Sequence, residues 1–126
     1  MPPLVNPDIG RDFIFVDDVL EAYILAATHP QVYGAIYNVG TGIQTTVLQA
    51  VELARRVLGI TTQPQWRQMP DRSWDTKIWL ADNRLIGKEL GWEAACTFED
   101  GFRKTAHWVI ENKDFLISVK EQGSLR

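Results

Sequence analysis

Cysteine is nearly absent from this chain. Cys96 stands alone, which excludes an internal disulfide and a cysteine-rich zinc site. Histidine is scarce as well: only His29 and His107 occur, neither in a carboxylate pattern that suggests catalysis, so metal chemistry is limited further. No apolar run approaches the roughly 20 residues of a membrane span. The opening segment Met1-Pro2-Pro3-Leu4-Val5-Asn6-Pro7 has no basic stretch followed by an apolar core, so no secretory signal is expected. Charge of one sign is not concentrated. Thirteen Lys and Arg against sixteen Asp and Glu leave a net of −3 without a like-charged block, which argues against a nucleic-acid partner. There are no internal repeats and no low-complexity stretches. What is present, 45% hydrophobic residues in a chain of 126, suffices for one core, so a cytoplasmic, single-domain protein is expected.

Familiar catalytic patterns are missing too. No serine sits in G-x-S-x-G, and no H-E-x-x-H occurs. No tyrosine has a lysine four residues on: Tyr23 is followed there by Ala27, Tyr33 by Tyr37 and Tyr37 by Thr41. Gly40-Thr41-Gly42 is the only G-x-G, and the residue three beyond Gly42 is Thr45 rather than glycine. It reads either as a tight turn or as an anion site at a helix start. Asp17-Asp18 and Glu99-Asp100 look like acid–base pairs, but both stand at predicted helix starts, where negative charge is favoured. Cys96 also sits at a helix start, and with no histidine nearby in sequence packing is the favoured reading over a nucleophilic thiol. Among the tryptophans, Trp66, Trp79, Trp92 and Trp108 read as core, whereas Trp74 in a polar loop is either ligand-facing or core. No catalytic residue and no metal ligand is assigned.

The pattern predicts a mixed α/β, helix-rich small domain with three or four short strands. Residues 1–10 form an extended arm, 11–113 the domain and 114–126 a weakly structured tail. Arg11 to Val16 reads as a strand, followed by a helix from Val19 to Thr28 capped by Asp17 or Asp18, with Val19, Tyr23, Ala26 and Ala27 inward. Ala35 to Val39 reads as a second strand. A helix from Val47 to Leu58 follows, capped by Thr45 or Thr46 and stopped by Gly59. Pro64 to Pro70 reads as an extended piece, Lys77 to Ala81 as a strand, and Asp82 as the cap of a short helix ended by Gly91. Thr97 opens the last helix, with Phe102, Ala106, Val109 and Ile110 as its apolar face.

Several segments in order resemble one family. Arg11-Asp12-Phe13-Ile14-Phe15-Val16-Asp17-Asp18 resembles the R-D-[FYW]-[IV]-x-V-x-D motif of the extended short-chain dehydrogenases/reductases, the NAD-dependent sugar-nucleotide epimerases and dehydratases. Tyr37 to Gly42 is similar to their Y-N-x-G-x-G turn, and Arg72-Ser73-Trp74-Asp75 to their R-x-x-D loop, with Trp74 where many members have glycine. Ala81-Asp82, Leu90-Gly91-Trp92 and Gly101 to Trp108 continue the pattern. The resemblance is to the family's C-terminal, substrate-binding part. It implies that Arg11 and Arg72 contact the diphosphate of a nucleoside-diphosphate sugar, that Asp75 binds the ribose, and that Phe13 lies near the nucleoside. It also implies that NAD belongs to a missing half, that this chain binds no cofactor, and that it is inactive alone. A separate NAD-binding chain is then a possible partner, and an exposed interdomain face implies self-association. A free-standing binding or protein-interaction module is the alternative.

Overall fold

The structure, a computed structural model, describes residues 2–30, 34–70, 76 and 78–123. Its elements run β1 (Gly10–Asp12), α1 (Val16–Thr28), β2 (Gln44–Thr46), α2 (Val47–Leu58), α3 (Arg84–Leu90), α4 (Phe98–Glu111) and α5 (Lys113–Gly123). The helix-rich α/β class holds, but the three or four expected strands reduce to two among the described residues. β1 and β2 pair antiparallel, with Gly10 opposite Thr46 and Asp12 opposite Gln44. Ala35–Val39 forms no ladder. Its alternation is present, with Tyr37 and Val39 half-buried against the core and Ile36 87% exposed, but the segment has no paired strand beside it. Ile78 to Ala81 likewise forms no strand.

α2 forms where its local signals place it. Thr46 Oγ1 accepts from Gln49 N at 3.1 Å, and the Gln49 side chain reaches back to Thr46 N at 2.8 Å, a reciprocal cap. The N-terminal arm completes that helix start: Val47 N donates to Ile9 O at 2.9 Å and Leu48 N to Pro7 O at 3.1 Å. Three of the donors that a helix start leaves without intrahelical partners are therefore satisfied. Gly59 ends the helix in the left-handed region, φ 65°. The arm also lies along residues 65–69, with Leu4 N donating to Gln65 O and Gln68 N to Leu4 O.

Other boundaries differ from the sequence reading. α1 begins at Val16, so Asp17 and Asp18 lie in its first turn and neither caps it. Asp18 is 5% exposed and accepts from Cys96 N at 3.1 Å, tying α1 to the start of α4. The expected stripe on α1 is rotated: Ala22 is buried and Leu25 packs on the core, while Tyr23 is exposed. The cap position of α3 is Asn83, one residue later than expected, but the Asp82 carboxylate still accepts from the first amide of the helix, Arg84 N at 3.2 Å, as well as from the Arg84 guanidinium. Thr97 caps α4 as expected, accepting from Asp100 N at 3.1 Å. Val109 and Ile110 on its expected inner face are exposed. In the segment read as a weakly structured tail with at most one more helical turn, the described residues form α5, which runs to Gly123.

The core is small. Ala22, Ile86 and Trp92 are its buried centre, with Ile14, Leu25, Tyr37, Val39, Leu90 and Ala94 packed around them. Trp92 is the one fully buried tryptophan among those described, and its indole N–H donates to Asp18 O at 3.1 Å. Trp79 and Trp108, read as core, are about half exposed.

Candidate functional site

One carboxylate organises the region around β1. Asp12 Oδ1 accepts from Thr41 N at 2.9 Å and from Thr41 Oγ1; Asp12 Oδ2 accepts from Gly42 N at 3.0 Å and Ala81 N at 3.1 Å. Burial pushes this carboxyl up. The hydrogen bonds from the Thr41 side chain and from the Thr41, Ala81 and Gly42 amides outweigh that effect and hold it below the ordinary aspartate value. Gly40 packs closely behind the same junction: a Cβ there would stand 2.4 Å from Ala81 Cβ and 2.6 Å from Asp12 Oδ2.

This settles the two readings of Gly40-Thr41-Gly42. The Thr41 and Gly42 amides, which a dinucleotide turn would aim at a pyrophosphate, already bind the chain's own carboxylate. The first amides of α2 are taken by Ile9 O, Pro7 O and Thr46 Oγ1. The segment is therefore a tight turn locked by an internal anion, and its donors do not fit the phosphates of NAD.

Arg11 and Phe13 flank Asp12 on the chain. The half-buried Arg11 donates from Nη1 to Gly10 O at 2.8 Å, and its guanidinium carbon lies 5.1 Å from the centre of the Trp79 ring. Trp79 borders a cavity of about 480 Å³ shared with Asp12, Tyr37, Asn38 and Asp82. Phe13 meets Phe98 with ring centres 5.0 Å apart and borders a larger cavity, about 610 Å³, lined also by Ile43, Leu53, Cys96 and Thr97. Charged groups at the rim of this second cavity pair with each other, Arg56 with Glu99 at 2.9 Å. Arg72, Trp74 and Asp75 lie outside the described residues.

Among the described residues, other titratable groups pair locally. The Tyr37 hydroxyl donates to Glu89 at 2.6 Å, and that hydrogen bond pushes the phenol's pKa up, away from what a tyrosinate base needs. The Asp82 carboxyl is pulled down to about 2, first by the hydrogen bond from the Arg84 side chain, as an exposed ion pair. Among the described residues no group of three or more His, Cys, Asp or Glu converges in a way that would hold a metal ion. No described helix is long and apolar enough to cross a membrane.

Sequence reasoning missed Asp12 as an organiser, Asp18 as a buried acceptor and Trp79 as the platform for Arg11. No local signal marked Asp12, because its partners Thr41, Gly42 and Ala81 lie 29, 30 and 69 residues away in sequence.

Comparison with known proteins agrees with the motif order. The family model described as GDP-mannose 4,6 dehydratase matches residues 1–105. A UDP-glucose 4-epimerase of Mycolicibacterium smegmatis is 31% identical over 98 residues, covering 78% of this chain and 30% of that protein. A dTDP-glucose 4,6-dehydratase of Salmonella typhimurium is 29% identical, covering 95% of this chain and 35% of that protein. Among solved structures, the Bordetella bronchiseptica enzyme WbmF in complex with NAD+ and UDP superposes with a TM-score of 0.80 at 29% identity, over 98% of this chain and 36% of that one. The chain thus spans about a third of the length of these relatives. It belongs to the GDP-mannose 4,6 dehydratase family, among the NAD-dependent sugar-nucleotide epimerases and dehydratases.

Proposed function

We propose that this chain is the C-terminal, nucleotide-holding part of a sugar-nucleotide epimerase or dehydratase. Arg11 and Arg72 bind the diphosphate, Asp75 the ribose hydroxyls, and Phe13 borders the nucleoside. A guanidinium offers fixed planar donors that suit a pyrophosphate, and a carboxylate accepts from two ribose hydroxyls at once. The observation that supports this most is the Asp12 junction. A single carboxylate joins three of the segments that resemble the family, those at Arg11, Thr41 and Ala81, into one unit with Arg11 and Phe13 beside it.

NAD and the Tyr-x-x-x-Lys pair belong, on this reading, to the NAD-binding half of the enzyme, which these 126 residues do not include. The Gly40-Thr41-Gly42 turn supports that division, since its amides are committed to Asp12. The chain alone is then without turnover. Incubated with UDP-glucose and NAD it gives no epimerised or dehydrated product; product from the purified chain would refute the division of labour. The outward apolar face of α1, with Val16, Leu20, Tyr23 and Ile24 exposed, supports self-association of the isolated chain. A cytoplasmic setting suits the unpaired thiol of Cys96.

The site is tested by titrating the chain with UDP and with uridine. UDP is expected to bind more tightly than uridine, and Arg11→Ala or Arg72→Ala to remove most of that difference. Equal affinities in the wild type, or unchanged UDP affinity in both variants, would refute the assignment.

A further inference from the structure

We infer that Trp79 is a positioning residue for Arg11, fixing its guanidinium in place before an anion arrives; this rests on the reading of Arg11 as a diphosphate ligand. Trp79 is 54% exposed, so burial does not account for its position. Its ring lies 5.1 Å from the Arg11 guanidinium carbon, within the range of a cation–π contact. The backbone near that ring is held. Two residues on, Ala81 N donates to Asp12 Oδ2 at 3.1 Å, so the segment carrying Trp79 is strapped across the strand that carries Arg11. The same carboxylate holds the Thr41–Gly42 turn, which keeps the strap from sliding.

The two interactions of such an arginine do not compete. Stacking occupies the face of the guanidinium, while its N–H donors lie in its plane and serve in-plane acceptors such as phosphate oxygens. A side chain already confined against an indole loses less freedom when the anion binds, and affinity rises by that saving. Trp79 therefore strengthens the phosphate-dependent part of binding and leaves the nucleoside part alone.

The experiment uses the full chain with UDP and uridine as probes, followed by calorimetry or by chemical-shift titration. Trp79→Leu removes the π face and is expected to weaken UDP about three- to tenfold, with uridine unchanged. Trp79→Phe keeps a ring and stays within about twofold of wild type. Arg11→Lys keeps the charge but loses the planar stack, and combined with Trp79→Leu it is no worse than Arg11→Lys alone, the signature of a coupled pair. UDP affinity unchanged in Trp79→Leu overturns the inference while leaving the role of Arg11 standing. So does an equal loss for UDP and uridine, or an equal loss in Trp79→Leu and Trp79→Phe, since a packing role produces those. A wild type that binds UDP no better than uridine removes the reading of Arg11 and this inference with it. Should Trp79→Leu not fold, Trp79→Gln, which also lacks a π face and suits a half-exposed position, takes its place with the same expected and overturning results.

Discussion

Removing the Asp12 carboxylate tests how the fold is joined. In Asp12→Ala, the Thr41, Gly42 and Ala81 amides lose their acceptor together with the Thr41 hydroxyl. A hydrogen bond to a charged group contributes about 1.5–3 kcal/mol, and an orphaned donor costs a similar amount. The junction is only partly buried, so water reaches some of these donors and the separate values do not add. A total loss of about 3–4 kcal/mol follows. Asp12→Asn is not a gentle substitute. One oxygen still serves Thr41, but the new NH2 group faces the Gly42 and Ala81 donors, at a cost of about 2–3 kcal/mol. The assay is urea unfolding followed by tryptophan fluorescence, with the slope unchanged and the midpoint lowered. The pH dependence has a definite sign. Asp12 has its pKa depressed in the folded state, so its stabilisation is complete above the unfolded value and is lost as pH falls through the folded one. The gap between wild type and Asp12→Ala should hold level from pH 8 to about 5 and shrink below about pH 4. Either variant within about 0.5 kcal/mol of wild type, or a gap that does not close in acid, would refute the reasoning.

Gly40→Ala places a methyl 2.4 Å from Ala81 Cβ and 2.6 Å from Asp12 Oδ2, and should cost about 2–4 kcal/mol. Combined with Asp12→Ala its cost should be sub-additive, because both open the same junction; additive unfolding energies would show that they do not share it. Thr46→Ala removes the cap of α2 and should lower stability by about 1 kcal/mol, read from the denaturation midpoint. Asp18→Ala leaves the Cys96 amide without its acceptor and should cost about 1–3 kcal/mol; faster hydrogen exchange at Cys96 than at Asp100 locates the effect.

What could be read in the sequence follows the range of the interactions involved. Thr46 with Gln49, Gly59 and Thr97 with Asp100 act within one helical turn, and the sequence places α2 and the start of α4 correctly from them. Ala35–Val39 and Ile78–Ala81 have strand-like composition, but a strand is a property of a pair. The chain beside β1 is instead Gln44–Thr46, brought there by the Asp12 bonds to Thr41 and Gly42, which lie 29 and 30 residues away in sequence. Asp18 was misread for a related reason. Its acceptor role depends on Cys96, 78 residues on, while its neighbours suggested only a local cap. Within the candidate site, Arg11 and Phe13 were legible through motif order. Trp79 was not, because nothing in Lys77 to Ala81 says that Asp12 will draw that segment across β1.

α1 carries the last prediction. Asp17, Glu21 and Thr28 make one narrow polar stripe, flanked on one side by Ala22 and Leu25 against the core and on the other by Val16, Leu20, Tyr23, Ile24 and Ala27. A helix apolar on nearly all sides gives no single direction inward, which is why the sequence reading turned it the wrong way. The outer stripe recurs at spacings of four, three and one, a continuous face, and Leu20 lies in its middle, 52% exposed. A charge placed there meets water in a monomer at little cost but would have to be desolvated in an association. Leu20→Glu should therefore leave the unfolding midpoint nearly unchanged and convert a self-associating chain to a monomer by light scattering. A wild type that is already monomeric at high concentration would end the proposal of self-association. A Leu20→Glu chain that associates as before would move it away from α1, and a large loss of stability would mean that Leu20 belongs to the core after all.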